Sequence, residues 1–233
     1  MSALNNIKKV LDRHSFRKNL LLSSLVVFLL AAIYLVTSWG VTTASVIQPR
    51  QLMLKWADNK KPFTEKSWQF ALKKLHSAIE DNPTNAEHYF DLARLYDWNA
   101  YQNPIWSDNA IKYRTLAIKY YKKSLVYRPI SSVAWSNLAM SKTLNLEFGN
   151  DVKIALSNAM AYGPWERGVF HKVLWISLAN WKGLPLNLQE QVKARIKETV
   201  HAKGWVPKYI QETATQFQWQ EELEKVISEK LSH

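Results

Sequence analysis

Between Lys18 and Arg50 the chain carries no charged residue at all. Leu20 to Tyr34 is almost wholly apolar, and Leu35 to Trp39 extends the run. Some 19 residues at about 1.5 Å each reach roughly 28 Å, close to the thickness of a bilayer's hydrocarbon core. A buried helix of a water-soluble domain would carry a polar stripe, and Ser23 with Ser24 is too little for one. The reading is a transmembrane helix over 19–40, closed by Trp39, whose indole suits the headgroup region.

Direction follows from charge. Lys8, Lys9, Arg13, Arg17 and Lys18 precede the apolar run, opposed only by Asp12. Lysine and arginine are retained on the cytoplasmic side, which places the N-terminus in the cytoplasm and everything after about residue 40 outside it. Leu4, Ile7 and Leu11 share one helical face among these cations, as in a short interfacial helix. A cleavable signal peptide is the rival reading, with Thr42-Thr43-Ala44 loosely resembling a processing site. Its apolar region would span only about 7–15 residues, however. The expected organisation is a cytoplasmic basic segment (1–18), the anchor (19–40), a linker (41–63) and an outer domain (64–233).

The roughly 190 residues after the anchor can bury about 70% of their unfolded surface, so they need neither disulfide nor metal to fold. The chain has no cysteine, which excludes zinc ribbons, thiol catalysis and iron–sulfur clusters. Glycine is scarce, Asn-Gly and Asp-Gly hairpin dipeptides are missing, and no segment alternates with period two. An all-α fold is therefore expected.

Three prolines, Pro83, Pro129 and Pro164, sit in equivalent settings. Five residues before each stands a small residue: Ala78, Ser124, Ala159. Eight before stands a bulky one (Leu75, Tyr121, Leu156), and twelve before stands Ala71, Ala117 or Val152. Six residues after the prolines come Tyr89, Trp135 and Phe170. Nine after come Leu92, Leu138 and Val173, followed by Ala93, Ala139 and Leu174. Small residues let antiparallel helices approach, aromatic ones fill the space beside them, and proline ends the second helix of each hairpin. The intervals are 46 and 35 residues, the second close to the roughly 34 of a tetratricopeptide hairpin. Ala86–Tyr96 and Ala117–Leu125 resemble the first and second helices of that family, and the resemblance covers roughly 64–180. Lys142 and Ser177 stand where Tyr96 does in the first unit, so the later units depart from it. Beyond Pro185, Leu188–Ile196 reads as an amphipathic helix ended by Gly204, and Pro207 can open another. Residues 219–232 read as a capping helix with Leu223, Val226, Ile227 and Leu231 on one side.

No catalytic, metal-binding or cofactor-binding motif is legible. The six histidines are scattered without metal-ligand spacing, and no GxSxG, phosphate loop or dinucleotide fingerprint occurs. Acidic residues fall mostly where helical surfaces would solvate them. The net charge of +12 leaves +8 outside the first 18 residues, which favours an anionic partner. Nucleic acid is excluded by the expected topology. An acidic polysaccharide is not.

Tryptophan occurs eleven times, more than the repeat core can use. The long first interval contains Trp98, Asn99, Tyr101, Asn103, Trp106 and Asp108. Rings that stack on sugar C–H faces, beside amides and a carboxylate that take hydroxyls, make these six candidate glycan or partner contacts on an inserted edge. The alternative is that Trp98 and Trp106 pack an extended hairpin while Asn and Asp form turns.

Gly163-Pro164-Trp165-Glu166, with the repeat before it and Leu184-Pro185-Leu186-Asn187-Leu188-Gln189 after it, resembles VpsP-type accessory proteins of bacterial exopolysaccharide gene clusters over roughly 20–215. That resemblance implies a non-enzymatic, cofactor-free scaffold of the bacterial inner membrane with a periplasmic domain. Its partners would be envelope proteins of a polysaccharide synthesis or export machine. The alternative is an adaptor or chaperone of another envelope assembly or secretion system.

Overall fold

The computed structural model describes residues 18–34, 36–37, 40, 46–58, 63–201 and 204–228, and these form helices and the short connections between them, with no strand among them. Helix α1 is described over 18–34, with nearly every side chain exposed, Leu21, Val27 and Phe28 by 70%, 66% and 69%. Among the described residues no helix is long and apolar enough to cross a membrane. The basic residues up to Arg17, the Leu4–Leu11 face, Trp39, the Thr42–Ala44 site and Leu231 lie outside the described residues.

The domain is a succession of antiparallel helices: α2 (Ile47–Ala57), α3 (Glu65–Asp81), α4 (Ala86–Tyr101), α5 (Asp108–Tyr127), α6 (Ser132–Leu144), α7 (Asn150–Tyr162) and α8 (Arg167–Ala179). A 3-10 turn (Trp181–Gly183) leads into α9 (Leu186–Thr199), α10 (Trp205–Gln216) and α11 (Gln220–Ser228). Local chemistry starts the helices cleanly. Thr64 and Ser67 form a reciprocal capping box on α3. Asn85, Ser107 and Ser131 each accept a first-turn amide of α4, α5 and α6.

The repeat offsets map onto contacts. Ala71, Ala117 and Val152, then Leu75, Tyr121 and Leu156, then Ala78, Ser124 and Ala159 are all buried on the second helix of each unit. Ala78, Ser124 and Ala159 also accept the amide that closes their helix, from Asn82, Arg128 and Gly163. At the sixth residue after the proline, Tyr89 Oη donates to the Pro83 carbonyl at 2.8 Å and Trp135 Nε1 to the Pro129 carbonyl at 2.7 Å. Phe170 has no donor and simply packs. The hairpins are therefore α4–α5 and α6–α7, with α3 as the second helix of an earlier unit and α8 as the first of a later one. Leading helices α6 and α8 also touch directly.

Three expectations change. The 41–63 stretch is not all linker, since α2 within it buries Met53 and Trp56 against the α3 and α4 core. Gly204 does not end α9; it precedes α10, with a φ of 104° that only glycine adopts readily. Most tryptophans do serve the core: Trp56, Trp68 and Trp219 belong to it, and Trp98, Trp135, Trp175, Trp181 and Trp205 pack against it. The hairpin ends and the C-terminal cap are built from these rings. Within that cap, α10 covers α8, with Tyr209 stacked on His171 at 3.8 Å, and Leu223 and Val226 of α11 are buried.

Candidate functional site

The extra length of the first hairpin is helix, not an inserted loop. Helices α4 and α5 have 16 and 20 residues where α6 and α7 have 13 each, and only 102–107 connect them. Trp98, Asn99 and Tyr101 are therefore the last turn of α4. Trp98 is half-buried, edge-on to Trp56 at 6.0 Å and to Tyr101 at 6.5 Å. Asn99 is buried, and its carbonyl accepts Asn103 Nδ2 at 2.8 Å, which fastens the turn. Trp106 is exposed at the hairpin tip, and Asp108 is exposed in the first turn of α5.

Three of the six expected contacts, Trp98, Tyr101 and Asn103, border recesses centred on a residue the sequence reading passed over, Asp97. One recess, of about 160 Å³, is bounded by Arg94, Asp97, Trp98 and Tyr101 of α4, Tyr121 of α5, Asn137 of α6 and Lys172 of α8. A second, of about 170 Å³, lies under the hairpin tip between Asp97, Tyr101, Asn103, Ile105, Arg114 and Leu144. The leading helices of three successive units thus share one polar, aromatic face. Asn99, Trp106 and Asp108 do not border it.

Asp97 is where three helices meet. Its carboxylate accepts Tyr121 Oη of α5 at 2.7 Å and Ser141 Oγ of α6 at 3.0 Å. Tyr121 and Ser141 are buried, so the carboxylate end is the deep end of the side chain. Burial raises its pKa to about 6, against the two hydroxyl donors and the charges of Arg114 and Lys172, which pull the other way. Burial and the neighbouring Arg94 push the Lys172 ammonium down from its usual range. Its Nζ donates to the Gly168 carbonyl at 3.0 Å. Asp91, nearly two turns earlier, is buried and held by Arg50 of α2. Asp91 and Asp97 are therefore exceptions among acids expected mostly on solvated helical surfaces, whereas Glu87 of the same helix has a side chain 43% exposed.

A signal for this face exists in the sequence. Arg94, Asp97, Trp98 and Tyr101 fall at i, i+3, i+4 and i+7, one stripe of a helix. The eighth residue after each repeat proline is polar in every unit: Asp91, Asn137 and Lys172. It immediately precedes the buried Leu92, Leu138 or Val173. Chemically the face offers cations, a hydroxyl-accepting carboxylate, an amide and flat rings. Among the described residues no group of acidic and histidine side chains could hold a metal ion. No family model and no curated protein matches the chain.

Proposed function

We propose that the protein is a non-enzymatic, tetratricopeptide-like scaffold of the bacterial inner membrane. It would hold an acidic glycan, in polysaccharide synthesis or export, on the face shared by α4, α6 and α8. The observation that carries this reading is the recess around Asp97, where rings, cations and hydroxyl acceptors from successive units line one surface. Sugars follow one another along a polymer, and this face is drawn from successive units. Affinity would come from several weak contacts in a row.

The anchor reading rests on the exposed apolar side chains of α1, which water solvates poorly, and on the uncharged run that continues to Pro49. The positive charge of the remainder favours a polyanion, which it draws in at long range. The test uses the detergent-solubilised full chain on beads bearing a polyuronate or a neutral glucan. Retention of the chain by the polyuronate, reduced in a Trp98→Ala/Lys172→Gln variant that melts cooperatively, is the expected result. Equal retention on both beads, or none, refutes glycan holding. Affinity capture from crosslinked envelopes separates the alternatives: recovery of secretin or pilus subunits without glycan-synthesis proteins identifies a protein adaptor.

A further inference from the structure

The cavity under the α4–α5 tip has a chemistry of its own. Arg114 of α5 forms part of its floor and is 3% exposed. Among the described residues its guanidinium makes one hydrogen bond, to the Ile105 carbonyl, Nε has no partner, and it forms no ion pair. A buried guanidinium keeps its charge, and leaving that charge without a counter-ion is costly. The nearest acid acting on it is Asp97, whose carboxylate is already bonded to Tyr121 and Ser141. Lys172 acts on the same carboxylate from its other side, while Arg94 lies 4.0 Å from Asp91. Counting Arg114 and Lys172 against Asp97, the neighbourhood is short of negative charge.

The cavity is also open and roomy. Tyr101 and Ile105 at its rim are 61% and 47% exposed, while Ala100 and Arg114 below are buried. Its volume of about 170 Å³ is far above the roughly 10–15 Å³ that one water requires. We infer that this cavity is a monoanion site, in which Arg114 pairs with the carboxylate of a uronate-type sugar while Asp97 and Asn103 meet its hydroxyls. A planar guanidinium matches a planar carboxylate. The single charge of Asp97 beside it disfavours a dianion such as a phosphate monoester. Tyr101 at the rim supplies a ring for the sugar face. The inference rests on the glycan reading for the sugar, but on Arg114 alone for the anion.

The experiment titrates the full chain in non-ionic detergent with sodium glucuronate, glucose and N-acetylglycine by calorimetry. Glucuronate should bind at least tenfold more tightly than glucose, and more tightly than N-acetylglycine. Arg114→Met should erase that preference. Leu144→Trp, which fills the cavity from α6 and leaves Arg114 in place, should erase it too, so a folding defect in the first variant does not decide the matter. Glucuronate binding no better than glucose, or an undiminished preference in both variants, overturns the site. N-acetylglycine equal to glucuronate overturns the sugar assignment in favour of a peptide carboxylate. Polyuronate retention without a glucuronate preference sinks this site and spares the glycan reading. Glucuronate binding without polymer retention does the reverse.

Discussion

Replacing Asp97 by asparagine separates what the residue does for the fold from what it does for a ligand. Asparagine keeps the shape, carries no charge, and can accept both hydroxyls on its one oxygen, placed where Asp97 Oδ2 lies 2.7 Å from Tyr121 Oη and 3.1 Å from Ser141 Oγ. In the folded chain the Asp97 pKa is raised from 3.8 to about 6. Because the folded value lies above the unfolded one, ionisation of this group opposes folding. The penalty is absent below about pH 4, grows between about pH 4 and 6, and is complete above that. A shift of about two units corresponds to about 3 kcal/mol at most, at 1.36 kcal/mol per unit, and water reaching the recess lowers it to about 1–3 kcal/mol. For a chain of this size, 2 kcal/mol moves Tm by roughly 4–8 °C. Other groups titrate in the same range, so the informative quantity is the difference between the two proteins. Burial lowers the pKa of His88, for example, which makes acid unfavourable to the wild type and the variant alike. Urea unfolding followed by tryptophan fluorescence should find Asp97→Asn more stable than wild type at pH 7.5 and equal to it at pH 4. The variant should also retain polyuronate less well. Equal stability at both pH values would mean that Arg114 and Lys172 fully compensate the carboxylate, and the argument for a costly, ligand-serving acid would fail.

Gly163 stands so close to α6 that a Cβ there would lie 2.4 Å from Ser132 Oγ and 2.5 Å from its Cβ. Gly163→Ala should therefore cost about 1–3 kcal/mol by thermal melting, as overpacking does. Ala117 of α5, fully buried, should lose a similar amount on change to leucine, and a melting point within a degree or two of wild type would refute the repeat register. Trp106, exposed at the tip, should change stability by no more than about 0.5 kcal/mol when replaced by alanine, whereas half-buried Trp98 should cost clearly more. A phosphatase fused after His233 should be active outside the cytoplasm if residues 19–40 span the membrane N-terminus inward, and an inactive fusion overturns that topology.

What the sequence made legible is what steric necessity writes at fixed offsets. Two helices can approach only where Ala71, Ala117 and Val152 allow it, and the turn after Pro83 or Pro129 needs a donor at the position of Tyr89 or Trp135. Such positions repeat because the geometry repeats, so counting from the prolines finds them. The groove obeys no such rule. Its residues are Arg94, Asp97 and Tyr101 in one unit, Asn137 and Ser141 in the next and Lys172 in the third, alike only in being polar or aromatic. Hydrophobic periodicity treats them as the solvated face of each helix. Only the stacking of leading helices turns that face inward and makes neighbours of residues 35 to 75 positions apart, as Asn137 and Lys172 are to each other and Asp97 is to Lys172. The same cause explains the misplaced insertion. A hairpin can grow by lengthening both helices, and the amphipathic spacing of Asp108–Leu116 continues that of Ala117–Leu125 without a break. Lengthening α4 and α5 then has a structural consequence that a loop would not have had. It carries Tyr101 and Arg114 past the last turn of α6, so that Leu144 is the only α6 residue bordering the cavity beneath them. The cavity thus exists because one hairpin outgrows its neighbour, and Tyr101 and Asn103, read as parts of an appended edge, are instead walls of a gap within the stack.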